Sequence, residues 1–303
     1  MTEATISTPA VKLLMPDLSV IIPSYSRPDL LAACLDSVIQ HSSTIHTEVI
    51  VVDDASSNSS VSRAAGQFPA VRIIRLPRRS GFCRAINAGL QRATSTIVQI
   101  LNDDTEVLPA WYRSPLERFQ RDERLGSLAP LVLCWKDPRI IDSAGDSYDP
   151  GGYAFSRGKG EKVATRWLVP REVFSAAGSA AFYRREALHR VGGFPEEFIA
   201  YFDDIEVGFK LREAGYTCWY EPASRVLHHG SASRRPSRVL TQQLACNEER
   251  VFCRHLQPGK RWEQLARHVA VLGGKALRRW ADGTLMPFCL GRVQAWSEAA
   301  AGR

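Results

Sequence analysis

The stretch EVIVVDD at residues 48–54 decides the fold, and TIVQILNDD at residues 96–104 follows the same pattern about fifty residues later. Each opens with a short β-branched run, typical of a strand that is buried on both faces of a sheet. Each closes with carboxylates at the carboxyl end of that strand, where open α/β sheets bind ligands. Two acidic clusters on one edge repel each other unless a cation lies between them, and oxygen ligands suit Mg²⁺ or Mn²⁺. The two stretches therefore predict a metal-assisted nucleoside diphosphate site.

Strands and helices alternate along the first third of the chain. The apolar runs predict strands at residues 18–23, 48–52, 71–76 and 96–101 and helices at residues 28–39, 61–67 and 82–93. This order predicts an α/β fold with a doubly wound, mostly parallel sheet flanked by helices. Further along, the sequence predicts a helix at residues 109–120, loops and small antiparallel strands at 128–175, two short strands at 217–220 and 224–227, and helices from about 238 to the end.

Length and cysteine usage limit the possible organisation. The 303 residues suffice for one large α/β domain with a small addition. We predict a flexible leader at residues 1–16, a main domain at 17–240 with a nucleotide-binding half (17–105) and an acceptor half (106–240), and a basic helical extension at 241–303. The seven scattered cysteines form no CxxC pair, which argues against disulfides and zinc. No signal peptide and no run of about 18 apolar residues are apparent, so we expect a cytoplasmic location.

The first turn disfavours two common kinds of nucleotide site. Residues 23–27, PSYSR, follow the first predicted strand and contain no glycine. A dinucleotide fold needs glycines there so that the backbone can approach the pyrophosphate, and a P-loop needs GxxxxGK[ST]. The sequence therefore disfavours NAD-dependent and P-loop chemistry.

An ordered set of short blocks resembles family 2 glycosyltransferases of the GT-A fold. The blocks are SVIIPSY (19–25), VVDDAS (51–56), GF…NAG (81–89), LNDDT (101–105), GGF (192–194), FDDIE (202–206), AGY (214–216) and VLHHG (226–230). Single blocks are weak signals, but their order matches the family over roughly residues 18–255. Within the family, the chain looks most similar to the rhamnosyltransferase-like members that build bacterial polysaccharides.

The resemblance implies roles on the donor side of the site. Asp53 and Asp54 resemble acids that recognise a uracil or thymine ring, with capping of the following loop as the structural alternative. Asp104 lies in the counterpart of the DXD motif, whose first acid is Asn102 here, and is the implied metal ligand; its alternative is a helix N-cap. The other implied donor-binding residues are Pro23, Tyr25, Gly81, Arg84, Asn87 and Asp103. The structural alternatives are a partly buried wall residue for Tyr25, a tight turn for Gly81 and an ordinary exposed arginine for Arg84.

The resemblance also implies a catalytic side. Asp204 matches the general base that removes a proton from the acceptor hydroxyl, and its neighbour Asp203 would raise one of the two pKa values. Asp203 and Glu206 stand where the family has Glu and Asp, and we assign them to the support of the acceptor. The alternative for Asp203, Asp204 and Glu206 is that they are simply acids that the helix dipole favours at a helix N-terminus. His228 matches a position where a histidine completes the metal shell, with a hydrogen-bonded structural histidine as its alternative.

The basic C-terminal segment has two interpretations. Residues 250–303 hold ten Lys and Arg and three acids, a difference equal to the whole net charge of +7. Trp262, Val269 and Trp280 fall near one helical face. That face either packs on the core of the domain itself or lies in a membrane interface, on the inner side of the membrane, which would suit an acceptor carried on a lipid diphosphate. No nucleic-acid-binding motif accompanies the charge, so we expect no nucleic acid partner.

These features predict an inverting glycosyltransferase that depends on Mn²⁺ or Mg²⁺. The donor is a UDP- or dTDP-sugar, and the acceptor is a hydroxyl of a glycan or lipid-linked glycan. The alternative is a family member that binds nucleotide sugars but has lost catalysis. A nucleotidyltransferase is disfavoured because the glycine- and arginine-rich loop of those enzymes is missing after the first strand.

Overall fold

The computed structural model describes residues 15–230 and 237–301, which form an α/β sheet followed by helices. The strands are β1 (Leu18–Ser24), β2 (Thr47–Asp53), β3 (Val71–Arg75), β4 (Ile97–Ile100), β5 (Thr105–Val107), β6 (Leu125–Cys134), β7 (Asp137–Ser143), β8 (Asp146–Asp149), β9 (Tyr153–Ser156), β10 (Arg171–Glu172), β11 (Phe182–Arg184) and β12 (Thr217–His228). The helices are α1 (Pro28–His41), α2 (Ser60–Ala65), α3 (Phe82–Leu90), α4 (Arg113–Arg121), α5 (Arg185–Arg190), α6 (Asp203–Glu213), α7 (Arg238–Arg254), α8 (Arg261–Ala281) and α9 (Leu285–Ala300).

The first half of the central sheet is parallel, with the order β3-β2-β1-β4. The chain runs outward from β1 to β3 and then returns to β4 on the other side of β1. This reversal creates a switch point between β1 and β4, the place where doubly wound sheets bind ligands. Ser24 pairs with Asp53 at the end of β1 and β2, and Ile21 pairs with Ile100 in β4. The carboxyl ends of these three strands therefore meet at one edge.

The second half of the sheet is mixed. β11 lies antiparallel between β4 and β6, and β12 runs parallel to β6 on the far side. β5 and β10 pair with β12, and β7 pairs with β6. β8 and β9 form a separate antiparallel hairpin, the small antiparallel addition expected from the sequence.

Apolar clusters cover both faces of the sheet, which explains the continuous apolar runs of its strands. Ile21 of β1 faces one cluster with α3, and Val20 and Ile22 face the other with α1. The close approach of α3 depends on Gly89, where a Cβ would lie 2.4 Å from Ile21 Cγ2. The predicted fold class is confirmed by this layered arrangement.

The stretch 125–134 differs from the prediction of loops and small strands from residue 128. It forms the ten-residue strand β6 inside the central sheet. Pro130 is tolerated there because it pairs opposite Glu221, where β12 has an irregular register before Arg225. The same irregularity lies within a single strand β12, where the sequence predicts two short strands.

Two helices are shorter than the sequence predicts. α4 begins at Arg113 rather than at residue 109, because Ala110 has a φ of 61°, outside the helical region. α3 ends at Leu90 rather than at residue 93. The positive φ of Ala110 is therefore a true break in the backbone before α4.

The predicted C-terminal helices are present as α7, α8 and α9. α9 packs tightly on α7 at Gly291, where a Cβ would lie 2.2 Å from the Gln242 carbonyl oxygen. Of the predicted leader, residues 1–14 lie outside the described residues, and the division into domains stays a prediction. No helix within residues 15–230 and 237–301 is both long enough and apolar enough to cross a membrane.

Candidate active site

Asp103 and Asp104 follow β4 at the switch point. The Ser24 hydroxyl donates to Asp103 Oδ2 at 2.7 Å, and Arg27 Nη1 lies 2.9 Å from Asp104 Oδ2 and 3.5 Å from Asp103 Oδ1. Burial raises the pKa of Asp103 to about 6, although Ser24 and Arg27 oppose it. Burial also acts on Asp104, but His228 and Arg27 outweigh it and lower the pKa of this carboxyl. Arg27 is therefore the counter-ion of both carboxylates.

His228, the last residue of β12, connects Asp104 to a second carboxylate. Its Nε2 lies 3.2 Å from Asp104 Oδ1, and its Nδ1 lies 2.8 Å from Asp142 Oδ2. Lys159 Nζ lies 3.2 Å from the other oxygen of Asp142. Burial lowers the pKa of His228, but the two carboxylates outweigh burial and raise it to about 9. Asp142 thus fixes the ring so that Nε2 is placed beside Asp104.

The Asp104–His228 pair fits a divalent metal ion. Asp104 Oδ1 is buried and makes no hydrogen bond, although His228 Nε2 is 3.2 Å away. Mn²⁺ accepts carboxylate and imidazole ligands, and a ligating histidine ordinarily donates its other ring N–H to a carboxylate such as Asp142. Across residues 15–230 and 237–301, no three His, Cys, Asp or Glu side chains are already grouped as a metal shell. One or two protein ligands plus phosphate oxygens are usual for such ions.

Asp53, at the end of β2, is engaged with the protein itself. Its carboxylate is fully buried and accepts a hydrogen bond from the Ser56 N–H at 2.8 Å. Ser62 and Arg75 also contact its second oxygen. Burial alone would raise the pKa of Asp53, but the hydrogen bonds from Ser62, Ser56 and Arg75 lower it. The structure therefore places Asp53 as a cap of the loop after β2, and its role in base recognition stays a prediction.

Asp54 organises the loop that precedes α3. Its two oxygens accept the backbone N–H groups of Ser80 at 2.6 Å and Gly81 at 2.9 Å. Gly81 has a φ of 91°, and a Cβ there would lie 2.6 Å from Ile199 Cγ2. The position therefore requires glycine for both its backbone conformation and its close approach. Contacts of Asp54 and Gly81 with a donor stay predictions.

The remaining donor-side candidates fall into two groups. Pro23 is buried within β1, and the half-buried ring of Tyr25 lies 4.1 Å below the guanidinium of Arg79. Arg84 and Asn87 of α3 instead contact the segment that leads to α6. Arg84 Nε donates to Glu196 at 2.8 Å, and Asn87 exchanges two hydrogen bonds of 2.9 Å with the backbone of Phe194. The structure thus ties α3 to the segment before α6, and donor contacts of all four residues stay predictions.

Asp203 and Asp204 occupy the first turn of α6 and share a raised affinity for protons. Burial and the neighbouring charge of Asp204 raise the pKa of Asp203 to about 8, and burial raises that of Asp204. Asp203 Oδ2 is buried without a hydrogen bond. Two such carboxyls titrate as a pair, and one of them retains its proton near neutral pH.

A two-residue link joins Asp204 to the carboxylates after β4. The Gly178 N–H donates to Asp204 Oδ2 at 2.9 Å, and the carbonyl of the next residue, Ser179, accepts from the Asn102 N–H at 2.9 Å. Asn102 immediately precedes Asp103. The predicted base and the predicted metal-binding stretch are therefore brought together by the fold, although they lie about a hundred residues apart in sequence.

The segment before Asp203 is strained. Ile199, Tyr201 and Phe202 have φ values of 62°, 71° and 62°, a region that costs a non-glycine residue about 1–3 kcal/mol. Asn247 of α7 holds this segment in place, since its Nδ2 lies 3.0 Å from each of three carbonyl oxygens, those of Phe198, Ala200 and Tyr201. α7 is therefore part of the support of the active site.

Glu206, one turn into α6, also contacts α7. Its two oxygens lie 3.2 Å from Arg254 Nη1 and 3.0 Å from His255 Nε2. Burial would raise the pKa of Glu206, but His255 and Arg254 outweigh it and lower the pKa. Glu206 thus clamps α6 to the end of α7, and its predicted support of an acceptor stays a prediction.

Three residues that complete this site, Arg27, Asp142 and Asn247, carry no local signal in the sequence that assigns them to it. Arg27 lies in the turn after the first strand, but its contact with Asp104 cannot be deduced from their spacing in the sequence. Asp142 lies on β7, in a region that the sequence predicts as loops and short strands. Asn247 lies in the predicted basic extension, where the excess of positive charge gives no indication of a role for an asparagine.

The family model described as glycosyl transferase family 2 matches residues 19–192. Among curated relatives, the O-antigen biosynthesis protein RfbC of Myxococcus xanthus is 28% identical over 235 residues, 74% of this chain and 18% of that protein. The N-acetylglucosaminyl-diphospho-decaprenol L-rhamnosyltransferase of Mycobacterium tuberculosis is 25% identical over 217 residues, 61% of this chain and 67% of the relative. The chain thus spans under a fifth of the first relative.

Solved structures support the same fold. GalNAc-T7 with UDP, GalNAc and Mn²⁺ matches with a TM-score of 0.65 and 18% identity, over 82% of this chain and 49% of that one. The mannosyltransferase PcManGT from Pyrobaculum calidifontis, in complex with GDP-Man and Mn²⁺, matches with a TM-score of 0.59 and 20% identity, over 94% and 88% of the two chains. The family match covers more than half of the sequence. The resemblance found in the sequence is therefore confirmed, and the chain belongs to glycosyl transferase family 2.

Proposed function

We propose that the chain is an inverting, metal-dependent glycosyltransferase with Asp204 as its general base. The donor is a UDP- or dTDP-sugar, and the acceptor is a hydroxyl of a glycan or a lipid-linked glycan. The rhamnosyltransferase and O-antigen names of the relatives favour a role in bacterial polysaccharide synthesis. Because the chain spans only part of the first relatives, substrates are proposed here for the site alone.

The observation that carries the proposal is the link through Gly178 and Ser179. It holds the carboxylate of Asp204 close to the stretch that contains Asp103 and Asp104. A transferase of this kind needs a base at the acceptor hydroxyl and positive charge at the departing diphosphate, both near the anomeric carbon. Asp204 and the carboxylates of residues 103–104, which would hold a cation, come from different elements and lie close together, which supports the proposal.

The reaction exchanges one bond for another at the anomeric carbon. The acceptor oxygen forms a bond to that carbon, the bond to the diphosphate oxygen breaks, and the hydroxyl proton passes to Asp204. The raised pKa of the Asp203–Asp204 pair makes an ionised Asp204 a stronger base than an ordinary aspartate. The Gly178 N–H orients that carboxylate.

Asp104 and His228 are the residues that would hold the metal ion. Asp142 positions the ring of His228, and Arg27 neutralises Asp103 and Asp104. A bound Mn²⁺ or Mg²⁺ would supply charge stabilisation to the diphosphate leaving group. Ser24 holds Asp103 beside this pair at 2.7 Å.

Calorimetric titration of the full chain with UDP, dTDP, GDP and CDP, each with and without Mn²⁺, tests the proposed site. We expect Mn²⁺-dependent binding of UDP or dTDP and its loss in Asp104→Ala. A matched control is Glu106→Ala, because Glu106 bonds the neighbouring His229 at 2.7 Å and should leave binding unchanged. Absence of binding to all four nucleotides would contradict the site, and nucleotide binding without turnover would favour the non-catalytic alternative.

A further inference from the structure

We propose that the outer faces of α8 and α9 form a docking surface for an anionic lipid bilayer. We call this surface the C-terminal apolar face; its large exposed residues are Trp262, Val269, Leu277, Trp280, Met286, Leu290, Val293 and Trp296. The inference goes beyond the proposed function and does not depend on it, because lipid binding is measurable without any nucleotide or sugar.

α8 exposes large apolar side chains, which a surface helix normally buries, alongside charged ones such as Arg261 and Arg267. Its polar residues Gln264 and His268 are buried, and His268 Nδ1 lies 2.7 Å from the Gly151 carbonyl oxygen. Trp262 and Trp280, in contrast, are 83% and 71% exposed. A helix in contact with water places its apolar stripe towards the core. The polarity of α8 therefore indicates a second apolar environment outside the protein.

The exposed residues of α8 form one continuous line. Val269 and Trp280 follow Trp262 by 7 and 18 residues, which are nearly whole numbers of helical turns. The line runs for about 27 Å at 1.5 Å per residue. The charged residues of α8 all lie a quarter-turn or more away from it: Arg261, Glu263, Arg267, Lys275, Arg278 and Arg279.

The exposed face of α9 is also free of charged side chains. Its only two charged residues are engaged within the described fold. Arg292 is buried and pairs with Glu248 and Glu249, and Glu298 pairs with Arg250 at 2.7 Å. Met286 is 75% exposed, and Leu290 and Val293 follow it along the same side.

Charge decides between a bilayer and a second copy of this chain as the occupant. Residues 260–282, which contain α8, carry six Lys and Arg and two acids. A two-fold contact between copies would bring the same positive surface against itself. An anionic bilayer instead attracts the cations around the face, while tryptophans are well suited to the level of the lipid headgroups. The excess of positive charge therefore favours an anionic lipid surface.

Co-sedimentation of the full chain with vesicles tests the inference. One set of vesicles is phosphatidylcholine alone, and the other contains roughly one quarter phosphatidylglycerol. We expect strong binding to the anionic vesicles, weak binding to the neutral ones, and at least about tenfold weaker partition for the double variant Trp262→Gln, Trp280→Gln. Val239→Gln, on an exposed residue of α7, is the matched control and should bind as the wild type does.

Three results would overturn the proposal. The first is wild-type protein that stays in the supernatant with anionic vesicles, and the second is a double variant that binds them as well as the wild type does. The third is a wild-type dimer in sedimentation velocity that the double variant converts to a monomer, since the face would then join two copies. Circular dichroism checks that the variants are folded, and because the substituted side chains are exposed, we expect unchanged spectra. Nucleotide titration of the same samples keeps this outcome separate from that of the proposed glycosyltransferase site.

Discussion

The carboxylate of Asp204 accepts a 2.9 Å hydrogen bond from the backbone N–H of Gly178. Because Ser179, the next residue, accepts from the Asn102 N–H, the carboxylate at the start of α6 and those after β4 belong to one hydrogen-bonded unit. This unit connects the proposed general base, Asp204, to the proposed metal-binding stretch that contains Asp103 and Asp104.

The carboxylate behind His228 provides a test of the metal site. We expect Asp142→Asn to weaken Mn²⁺-dependent binding of UDP or dTDP by about 10–100-fold, because a neutral amide orients and polarises the ring less well. Calorimetry measures the change. Glu106→Gln removes the equivalent carboxylate from His229 and should have little effect. Equal losses in the two variants would contradict a specific role for His228.

Arg27 competes with a cation for Asp103 and Asp104. We expect Arg27→Gln to tighten the binding of Mn²⁺ alone about fivefold, equivalent to about 1 kcal/mol, because a positive charge 2.9 Å from Asp104 is removed. Electron paramagnetic resonance of free Mn²⁺ gives the affinity. Arg84→Gln is the control, since Arg84 pairs with Glu196. Unchanged or weaker Mn²⁺ binding in Arg27→Gln would show that Asp104 is not the metal ligand.

Asn247 stabilises the strained segment before α6. We expect Asn247→Ala to lower the free energy of unfolding by about 1–3 kcal/mol, because the Tyr201 carbonyl oxygen loses its side-chain donor and two other carbonyl oxygens each lose one of two. Gln243 donates to two of the same carbonyls at 3.1 and 3.2 Å, so Gln243→Ala should have a smaller effect in the same direction. Gln242→Ala, on an exposed contact, should stay within about 0.5 kcal/mol of the wild type. Urea unfolding compares the three, and equal effects would refute a special role for Asn247.

The Asp203–Asp204 pair makes stability depend on pH. The pKa of Asp203 is raised to about 8 in the folded protein, above its unfolded value, so the folded state binds more protons between these two values. Stability therefore falls as pH rises through this range, with a slope of at most about 1.4 kcal/mol per pH unit for one proton. We expect Asp203→Asn to flatten the slope of the free energy of unfolding between pH 5 and 8.

The control for the pH experiment is an exposed aspartate whose pKa is shifted the other way. The hydrogen bond from Arg139 lowers the pKa of Asp137, so Asp137→Asn should alter the dependence of stability on pH only in more acidic solution and leave the slope between pH 5 and 8 as in the wild type. Urea titrations at several pH values give the slopes. A slope for Asp203→Asn that equals that of the wild type would mean that the pair holds no extra proton.

The sequence predicts the fold of residues 17–105 well because its signals there are local. β-branched runs such as residues 49–52 identify strands, and their carboxyl ends place Asp53, Asp54 and Asp103 at the correct edge. β6 is missed because Gly126 and Pro130 interrupt its apolar pattern, and Pro130 is acceptable only because β12 is irregular opposite it. That irregularity is a property of the partner strand.

Long-range contacts explain what the sequence does not predict about the site. Asn247 reaches carbonyl oxygens 46 to 49 residues earlier in the chain, and Arg27 reaches Asp104 across 77 residues. A side chain gives no local sign of such partners. The polarity of α8 is a similar case, since periodicity identifies an apolar stripe but not whether the core or the exterior lies against it.

The general base is the central claim, and a comparison of wild type with Asp204→Asn tests it most directly. Release of UDP or dTDP from the matching nucleotide sugars is measured with a glycan or lipid-linked glycan acceptor, and Mn²⁺-dependent nucleotide binding is measured on the same samples. We expect nucleotide binding to be unchanged and acceptor-dependent release to fall by at least about 100-fold, because no group then takes the hydroxyl proton. Transfer at the wild-type rate by Asp204→Asn would contradict the assignment.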